Sequence, residues 1–296
     1  MEIKTWHRPL MLLVAAMAIL TVGTAVGVFT DDRVLTGAPI WLKPFKFSVS
    51  VLLYAFTLAW LLSLLPVRRR VAEWTAVAIV LALFVEMAII IGQVIRGTTS
   101  HYNMSTPLNA ALWNMMSVAI MVLFMAHILI SVLVLRARIP DRVARTGVGL
   151  GLGVSALGLM AAFPMVGGRA VMSHTVGAPD GGPGLPVVGW STVAGDLRIG
   201  HFVGLHALQA LPLLAWALAR FAGRMSERTK VRLLLMAGAG YAALTVLLTW
   251  QALRGQPLIR PDALTLTAFG ILAGLVLGGI TLIVRTDRQE DLELAA

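Results

Sequence analysis

The sequence predicts an all-α protein that forms a bundle of eight transmembrane helices. Of its 296 residues, 58% are hydrophobic and only 13% are charged, and the mean hydropathy is +0.85. In a soluble domain about a quarter of all residues are charged. The deficit of charge extends along the whole chain, which excludes a soluble domain with a single anchor. Apolar runs of about 20 residues are long enough for a helix to cross about 30 Å of hydrocarbon.

Eight such runs follow one another, and a polar or basic turn separates each from the next. They cover residues 9–29, 45–65, 72–95, 108–135, 146–166, 199–221, 231–253 and 263–284. Glycine and proline inside the runs are compatible with membrane helices, and the alternation that is typical of barrel strands is missing. The first run could instead be a cleaved signal peptide, but it is longer than a usual signal core.

Lysine and arginine concentrate in alternate loops. With the N-terminus inside, sixteen of the 24 basic residues fall in the inner set: Lys4, Arg8, Arg68, Arg69, Arg70, Arg136, Arg138, Arg142, Arg145, Arg220, Arg224, Arg228, Lys230, Arg232, Arg285 and Arg288. Cytoplasmic loops carry such an excess, so both termini are expected on the cytoplasmic side of a bacterial inner membrane. The net charge of +10 therefore requires no nucleic acid, because these side chains can face anionic lipid headgroups.

A short motif recurs at the ends of the third and seventh runs, Gln93-Val-Ile-Arg96-Gly97 and Gln251-Ala-Leu-Arg254-Gly255. The second and sixth runs also correspond in sequence, and the offset is more than half the chain. These observations predict an internal repeat of two parallel four-helix halves, residues 1–138 and 139–296.

The motif has two interpretations. In the first it terminates a helix, with glycine in the left-handed conformation and arginine beside the negative end of the helix dipole. In the second the two Gln/Arg pairs flank one central cavity and bind an anionic group through the planar donors of arginine.

Polar residues concentrate on the predicted outer side, where they indicate a polar cavity. A Gly/Pro-rich loop over residues 165–198 contains Trp190 and several valines, and we expect it to form an ordered lid; a flexible linker is the alternative. The candidate ligand-binding residues are Lys46, Gln93, Arg96, His101, Asn103, Arg198, His201, Gln209, Gln251 and Arg254.

Glu86 is the acidic residue that lies well within a hydrophobic run, and such a residue indicates a functional site. His206, in the sixth run, lies at a similar predicted depth. Glu86 and His206 are therefore the candidate catalytic residues, as an acid–base pair that could pass a proton or orient a ligand. The alternative for His206 is a buried imidazole bonded to a neighbouring helix.

Metal and haem sites have weak support, so no cofactor is predicted. The chain has no cysteine. His201 and His206 are five residues apart and do not converge as an i,i+4 zinc pair would. His127 and His206 lie at different depths and cannot share an iron. His127 is expected to be a packing residue.

Several outer motifs together resemble those of an uncharacterised family of bacterial polytopic membrane proteins. The residues are K43-P-F-K46-F, R96-G-T-T-S-H-Y-N103, M172-S-H-T-V-G-A-P-D-G-G-P-G184 and G195-D-L-R-I-G-H-F-V-G-L-H-A-L-Q209. The resemblance implies no activity. The four-plus-four architecture is similar to that of haem A synthase, but the paired histidines on facing helices are absent, so that similarity concerns the fold alone.

Three functions remain open from the sequence. The first is an integral membrane protein that binds or acts on a lipophilic molecule, such as a quinone or a lipid, in a cavity that opens outward. The second is a proton- or cation-coupled transporter that uses Glu86. The third is a structural or sensor subunit without chemistry. The predicted inner halves of the helices carry few polar residues other than His127, which disfavours a transport path.

Overall fold

The computed structural model of the protein describes residues 6–65, 70–137, 139–167 and 172–295, with side chains described as far as residue 287. Among the predicted inner basic residues, Lys4, Arg68, Arg69 and Arg138 lie outside the described residues, as does the side chain of Arg288. Residues 168–171 of the predicted lid also lie outside them.

Nine helices are present in the described part of the chain: α1 Arg8–Thr30, α2 Leu42–Ser63, α3 Arg70–Ile95, α4 Pro107–Leu135, α5 Arg142–Met160, α6 Phe163–Val166, α7 Leu197–Phe221, α8 Glu227–Leu253 and α9 Ala263–Ala295. Two short antiparallel strand pairs accompany them, β1 Val34–Leu35 with β2 Ala38–Pro39, and β3 Thr175–Val176 with β4 Gly195–Asp196.

Eight helical segments of the described residues are long and apolar enough to cross a membrane, with α5 and α6 together forming the fifth. Many of their large apolar side chains are exposed, among them Ile19, Phe29, Phe84 and Leu275. Such surfaces suit contact with lipid, so the fold is compatible with a multi-pass integral membrane protein. The prediction of an all-helical protein with eight such segments is confirmed. The repeat and the orientation of the termini stay predictions.

The chain divides into two compact units. The first comprises Met1–Arg138 with Asp180–Gly189, and the second comprises Ile139–Pro179 with Trp190–Ala296. The middle of the predicted lid therefore belongs to the first unit, and its flanks belong to the second.

In the first unit the segment between α1 and α2 is hydrogen-bonded to the C-terminal end of α3. The Arg33 guanidinium pairs with Asp31 at 2.7 Å and donates to the carbonyl oxygens of Val94 and Ile95 at 3.3 and 3.4 Å. The indole of Trp41 donates to Asp31 at 2.7 Å. The last carbonyls of a helix lack partners within the helix, so Arg33 stabilises this end of α3.

In the second unit α5 and α7 cross at very close range. A Cβ built at Gly158 would lie 2.4 Å from the backbone nitrogen of Leu205, and one built at Gly204 would lie 2.4 Å from Cα of Gly158. Small residues allow such an approach, which drives helix association in lipid by van der Waals contact. One turn earlier on the same face of α7, a Cβ at Gly200 would overlap Oγ1 of Thr249 in α8. Glycine therefore allows both α5 and α8 to approach α7 closely.

Candidate functional site

The motif Gln93–Gly97 terminates α3. Gly97 has φ of +71°, the left-handed conformation that glycine adopts without a steric penalty. Its N–H donates to the carbonyl of Val94 at 3.0 Å, and the N–H of Thr98 donates to the carbonyl of Gln93 at 3.0 Å. This pair of hydrogen bonds defines a Schellman motif.

The motif Gln251–Gly255 terminates α8 in the same way. Gly255 has φ of +72°, and its N–H donates to the carbonyl of Ala252 at 2.9 Å. The N–H of Gln256 donates to the carbonyl of Gln251 at 3.3 Å. The interpretation of the motif as a helix terminus is confirmed at both positions.

The two glutamines share a role that sequence reasoning missed. Each side chain is almost fully buried, and each donates from Nε2 to the backbone carbonyl six residues later. Gln93 reaches Thr99 at 3.2 Å, and Gln251 reaches Pro257 at 3.0 Å. A buried carbonyl without a partner is costly, so the glutamine holds the chain where it leaves the helix.

Both arginines of the motif bind the first turn of the following helix. Arg96 donates to Oε1 of Gln93 at 2.5 Å and to Oδ1 of Asn109 in α4 at 3.0 Å. Arg254 pairs with Asp262 at 2.5 Å and donates to Thr265 in α9 at 2.9 Å. Each of the two guanidinium groups therefore has hydrogen-bond partners within its own unit. Binding of an anion by these arginines stays a prediction.

The Arg254–Asp262 pair should make the stability of the protein depend on pH. Hydrogen bonding from Arg254 lowers the pKa of Asp262 below its usual value of 3.8. A lowered pKa in the folded state stabilises the fold above pH 3.8, and this contribution is lost as the pH falls from there through the folded pKa. We expect the melting temperatures of the wild type and Asp262→Asn to differ at pH 5 and to converge progressively as the pH falls below 3.8 toward the folded pKa.

Thermal unfolding in detergent at a series of pH values measures this convergence. Arg254→Gln should behave like Asp262→Asn, because both variants break the same pair. A difference between the wild type and Asp262→Asn that stays constant from pH 5 to pH 3 would contradict the assignment.

Glu86 is 6% exposed on α3, inside the first unit. Among the described residues its carboxyl makes no hydrogen bond, and Lys43 near the start of α2 is its electrostatic partner. The Lys43 ammonium also lies 5.8 Å from the centroid of the Phe47 ring. The lysine partner was not assigned from the sequence, where Glu86 was paired with His206.

An aromatic group lies beside these residues at the same end of the first unit. The ring of His101 packs edge-on against Phe47 at 5.8 Å and lies 5.6 Å from Trp113 of α4. Tyr102, whose φ is +56°, packs on Trp113 at 4.9 Å. His101 and Lys43 therefore both lie close to the ring of Phe47.

Two other candidate ligand-binding residues of this unit, Lys46 and Asn103, donate hydrogen bonds to backbone carbonyls. Lys46 donates to the carbonyl of Val188 at 2.9 Å, which ties the segment Asp180–Gly189 to α2. Asn103, which is buried, donates to the carbonyl of Thr99 at 2.9 Å and accepts from the hydroxyl of Ser105 at 2.6 Å. Asn103 therefore shapes the α3–α4 loop.

In the second unit His201 lies against α5. Its Nδ1 is 2.8 Å from the carbonyl oxygen of Gly158, so Nδ1 carries the proton and donates. His174 and His206 lie near enough to interact electrostatically with His201. His206 is exposed and Gln209 is half-buried on the same helix.

Arg198 is held by a residue that the sequence did not single out. Asp196 is 1% exposed and accepts from Arg198 at 2.9 Å and 2.6 Å, through Nε and Nη2. It also accepts from the backbone N–H of Ser191 at 2.8 Å and caps the start of α7. The motif Asp-x-Arg at the start of an apolar run is a local signal of such a cap.

The structure divides the predicted catalytic pair between the two units. Glu86 belongs to the first unit and His206 to the second, so each is described by its own neighbours and their pairing stays a prediction. Within the first unit Lys43 and Lys46 lie near the start of α2, His101 lies in the loop after α3, and Glu86 lies within α3, where Lys43 acts on it electrostatically.

His127 is confirmed as a packing residue. It is buried, and its Nδ1 lies 3.1 Å from the hydroxyl of Tyr54. In the part of the chain that the structure describes, no three residues among histidine, aspartate and glutamate are arranged to hold a metal ion.

A comparison of the chain with protein-family models, curated proteins and solved structures finds no match.

Proposed function

We propose that the first unit binds a lipophilic small molecule with a polar head, such as a quinone or a lipid, beside Lys43 of α2 and Glu86 of α3. The molecule's tail would extend along the apolar helices. The observation that carries this proposal is the Glu86 carboxyl, which is buried in an apolar helix within electrostatic reach of Lys43.

The position of Glu86 is costly for a purely structural residue. A carboxylate in a membrane helix needs compensation by a cation, a hydrogen bond or a proton. Lys43 supplies charge, while the carboxyl makes no hydrogen bond among the described residues. A hydroxyl of the ligand would donate a hydrogen bond to the Glu86 carboxyl, and a carbonyl of the ligand head would accept one from Lys43.

The side chains around Lys43 suit such a head. Lysine offers rotatable donors on a flexible stem, and aromatic rings provide a flat apolar surface. Phe47 lies between Lys43 and His101, with both within 6 Å of its ring centroid. A planar or anionic head would thus meet a donor, an acceptor and an aromatic face.

The proposal predicts that Glu86→Gln loses a ligand that co-purifies with the wild type. The protein is purified in a mild detergent, extracted with organic solvent, and the extract is analysed by mass spectrometry for quinones and lipids. A hydrogen bond to a charged group contributes about 1.5–3 kcal/mol, so we expect about tenfold less of one compound per protein. Lys43→Met should lower the amount of the same compound.

The matched control is Glu73→Gln, which removes an acidic residue from the first turn of the same helix. It should retain the full amount of the compound. Equal lipid and quinone content in the wild type, Glu86→Gln and Lys43→Met, with all three proteins folded, would refute the proposed function.

A further inference from the structure

Basic side chains from three helix ends gather at one end of the second unit. Val143 of α5, Ala215 of α7 and Leu234 of α8 form one buried cluster, so the start of α5, the second half of α7 and the start of α8 lie side by side. The basic residues next to this cluster are Arg142, Arg145, Arg220, Arg224, Arg228, Lys230 and Arg232.

The acidic residues nearby do not neutralise this group. Asp141 accepts from the backbone N–H groups of Val143 and Ala144, at 2.8 and 3.0 Å, and caps α5. Asp287 of α9 is buried and accepts from the hydroxyls of Ser226 and Thr229. Both carboxylates thus stabilise helix ends through their Oδ1 atoms, and Asp287 also interacts electrostatically with Arg232. Glu227, in the first turn of α8, is exposed. Three carboxylates therefore stand against seven basic side chains, and an excess of positive charge remains.

The arginines themselves remain accessible. Arg142, Arg145, Arg220, Arg224 and Arg228 are exposed and, within the described ranges, none of them forms an ion pair. The other end of the unit differs, because Arg198 and Arg254 are paired there with Asp196 and Asp262. The excess of positive charge is therefore concentrated at one end.

Aromatic residues of the kind that lies at the level of lipid headgroups are present at this end. Trp216 and Phe221 of α7 are exposed and pack edge-on at 5.7 Å, and the Arg220 guanidinium lies 5.5 Å from the Phe221 ring. Exposed tryptophan beside arginine is typical of the membrane interface. Arginine forks match phosphate geometry, and basic groups between membrane helices bind anionic headgroups.

We propose that this end of the second unit, formed by the start of α5, the α7–α8 turn and the start of α8, is a binding site for anionic phospholipid headgroups. The arginines hold the phosphate while Trp216 and Phe221 contact the upper acyl chain. This site is separate from the one proposed around Glu86, and neither depends on the other.

The test titrates the full-length protein, in a neutral detergent, with dioleoyl phosphatidylglycerol and with dioleoyl phosphatidylcholine, and counts bound lipids by native mass spectrometry. We expect phosphatidylglycerol to bind more tightly than phosphatidylcholine. Each arginine near an anionic headgroup contributes about a fivefold change in affinity, so Arg224→Gln should weaken phosphatidylglycerol binding about fivefold and Arg224→Gln/Arg228→Gln about 25-fold. Arg224→Lys should retain most of the binding.

Arg260→Gln is the matched control, since it removes an exposed arginine from the loop at the opposite end of the unit. Its phosphatidylglycerol affinity should equal that of the wild type. The proposal is overturned if the two lipids bind equally, if Arg260→Gln weakens binding as much as Arg224→Gln, or if inorganic phosphate displaces the lipid at equal concentration, which would indicate a site for a soluble anion.

Discussion

Gly158→Leu is expected to destabilise the second unit strongly. Even a Cβ at residue 158 would lie 2.4 to 2.7 Å from backbone atoms of Gly204 and Leu205, which cannot move as a flexible side chain can. Overpacking against side chains costs about 1–3 kcal/mol, and backbone overlap exceeds that range. We expect the melting temperature to fall by at least about 10 °C, with Gly158→Ala between the wild type and Gly158→Leu.

Gly153→Leu is the matched control on the same helix. A Cβ at Gly153 has no atom within 4 Å, and the residue is exposed. Leucine has a higher helix propensity than glycine, so this variant should be neutral or slightly more stable. Thermal unfolding followed by tryptophan fluorescence, with size-exclusion chromatography in detergent, measures both variants. Similar melting temperatures for Gly158→Leu and Gly153→Leu would contradict the close crossing of α5 and α7.

Sequence alone could predict most helices because length and hydropathy decide which segments can span a membrane. The third run, predicted at residues 72–95, is α3 at Arg70–Ile95, and the fourth, predicted at 108–135, is α4 at Pro107–Leu135. The fifth run, predicted at 146–166, is interrupted between Met160 and Phe163. Pro164 explains the break, because it has no N–H to donate to the carbonyl of Met160, four residues earlier, and its ring crowds that carbonyl. Proline also suits the first turn of a new helix.

The partners of polar residues were less predictable, because most of them are distant in sequence. The glycines at 97 and 255 could be assigned from their position after a helix, since the Schellman motif is local. The bonds from Arg33 to the end of α3 and from Arg96 to Asn109 depend on tertiary packing. Lys43 lies near Glu86 because α2 and α3 pack together, and hydropathy carries no information about that pairing.

Asp196→Ala should lower the stability of the second unit by about 3–5 kcal/mol, the usual cost of leaving a buried charge without its partner. The change removes the acceptor of the Arg198 guanidinium, whose side chain is 23% exposed, and of the Ser191 N–H. It also removes the N-cap of α7, which carries His201 and His206. Thermal unfolding should show a fall of about 10 °C in the melting temperature, whereas Asp32→Ala, at an exposed position, should change it little.

A second variant separates the lost cap from the unpaired charge. Asp196→Ala/Arg198→Met removes both charges and keeps an apolar side chain at 198, so it should be more stable than Asp196→Ala alone. Asp196→Asn retains a capping oxygen but loses the charge, and it should lie between Asp196→Ala and the wild type. If the double variant is no more stable than Asp196→Ala, the cap and not the ion pair determines the effect.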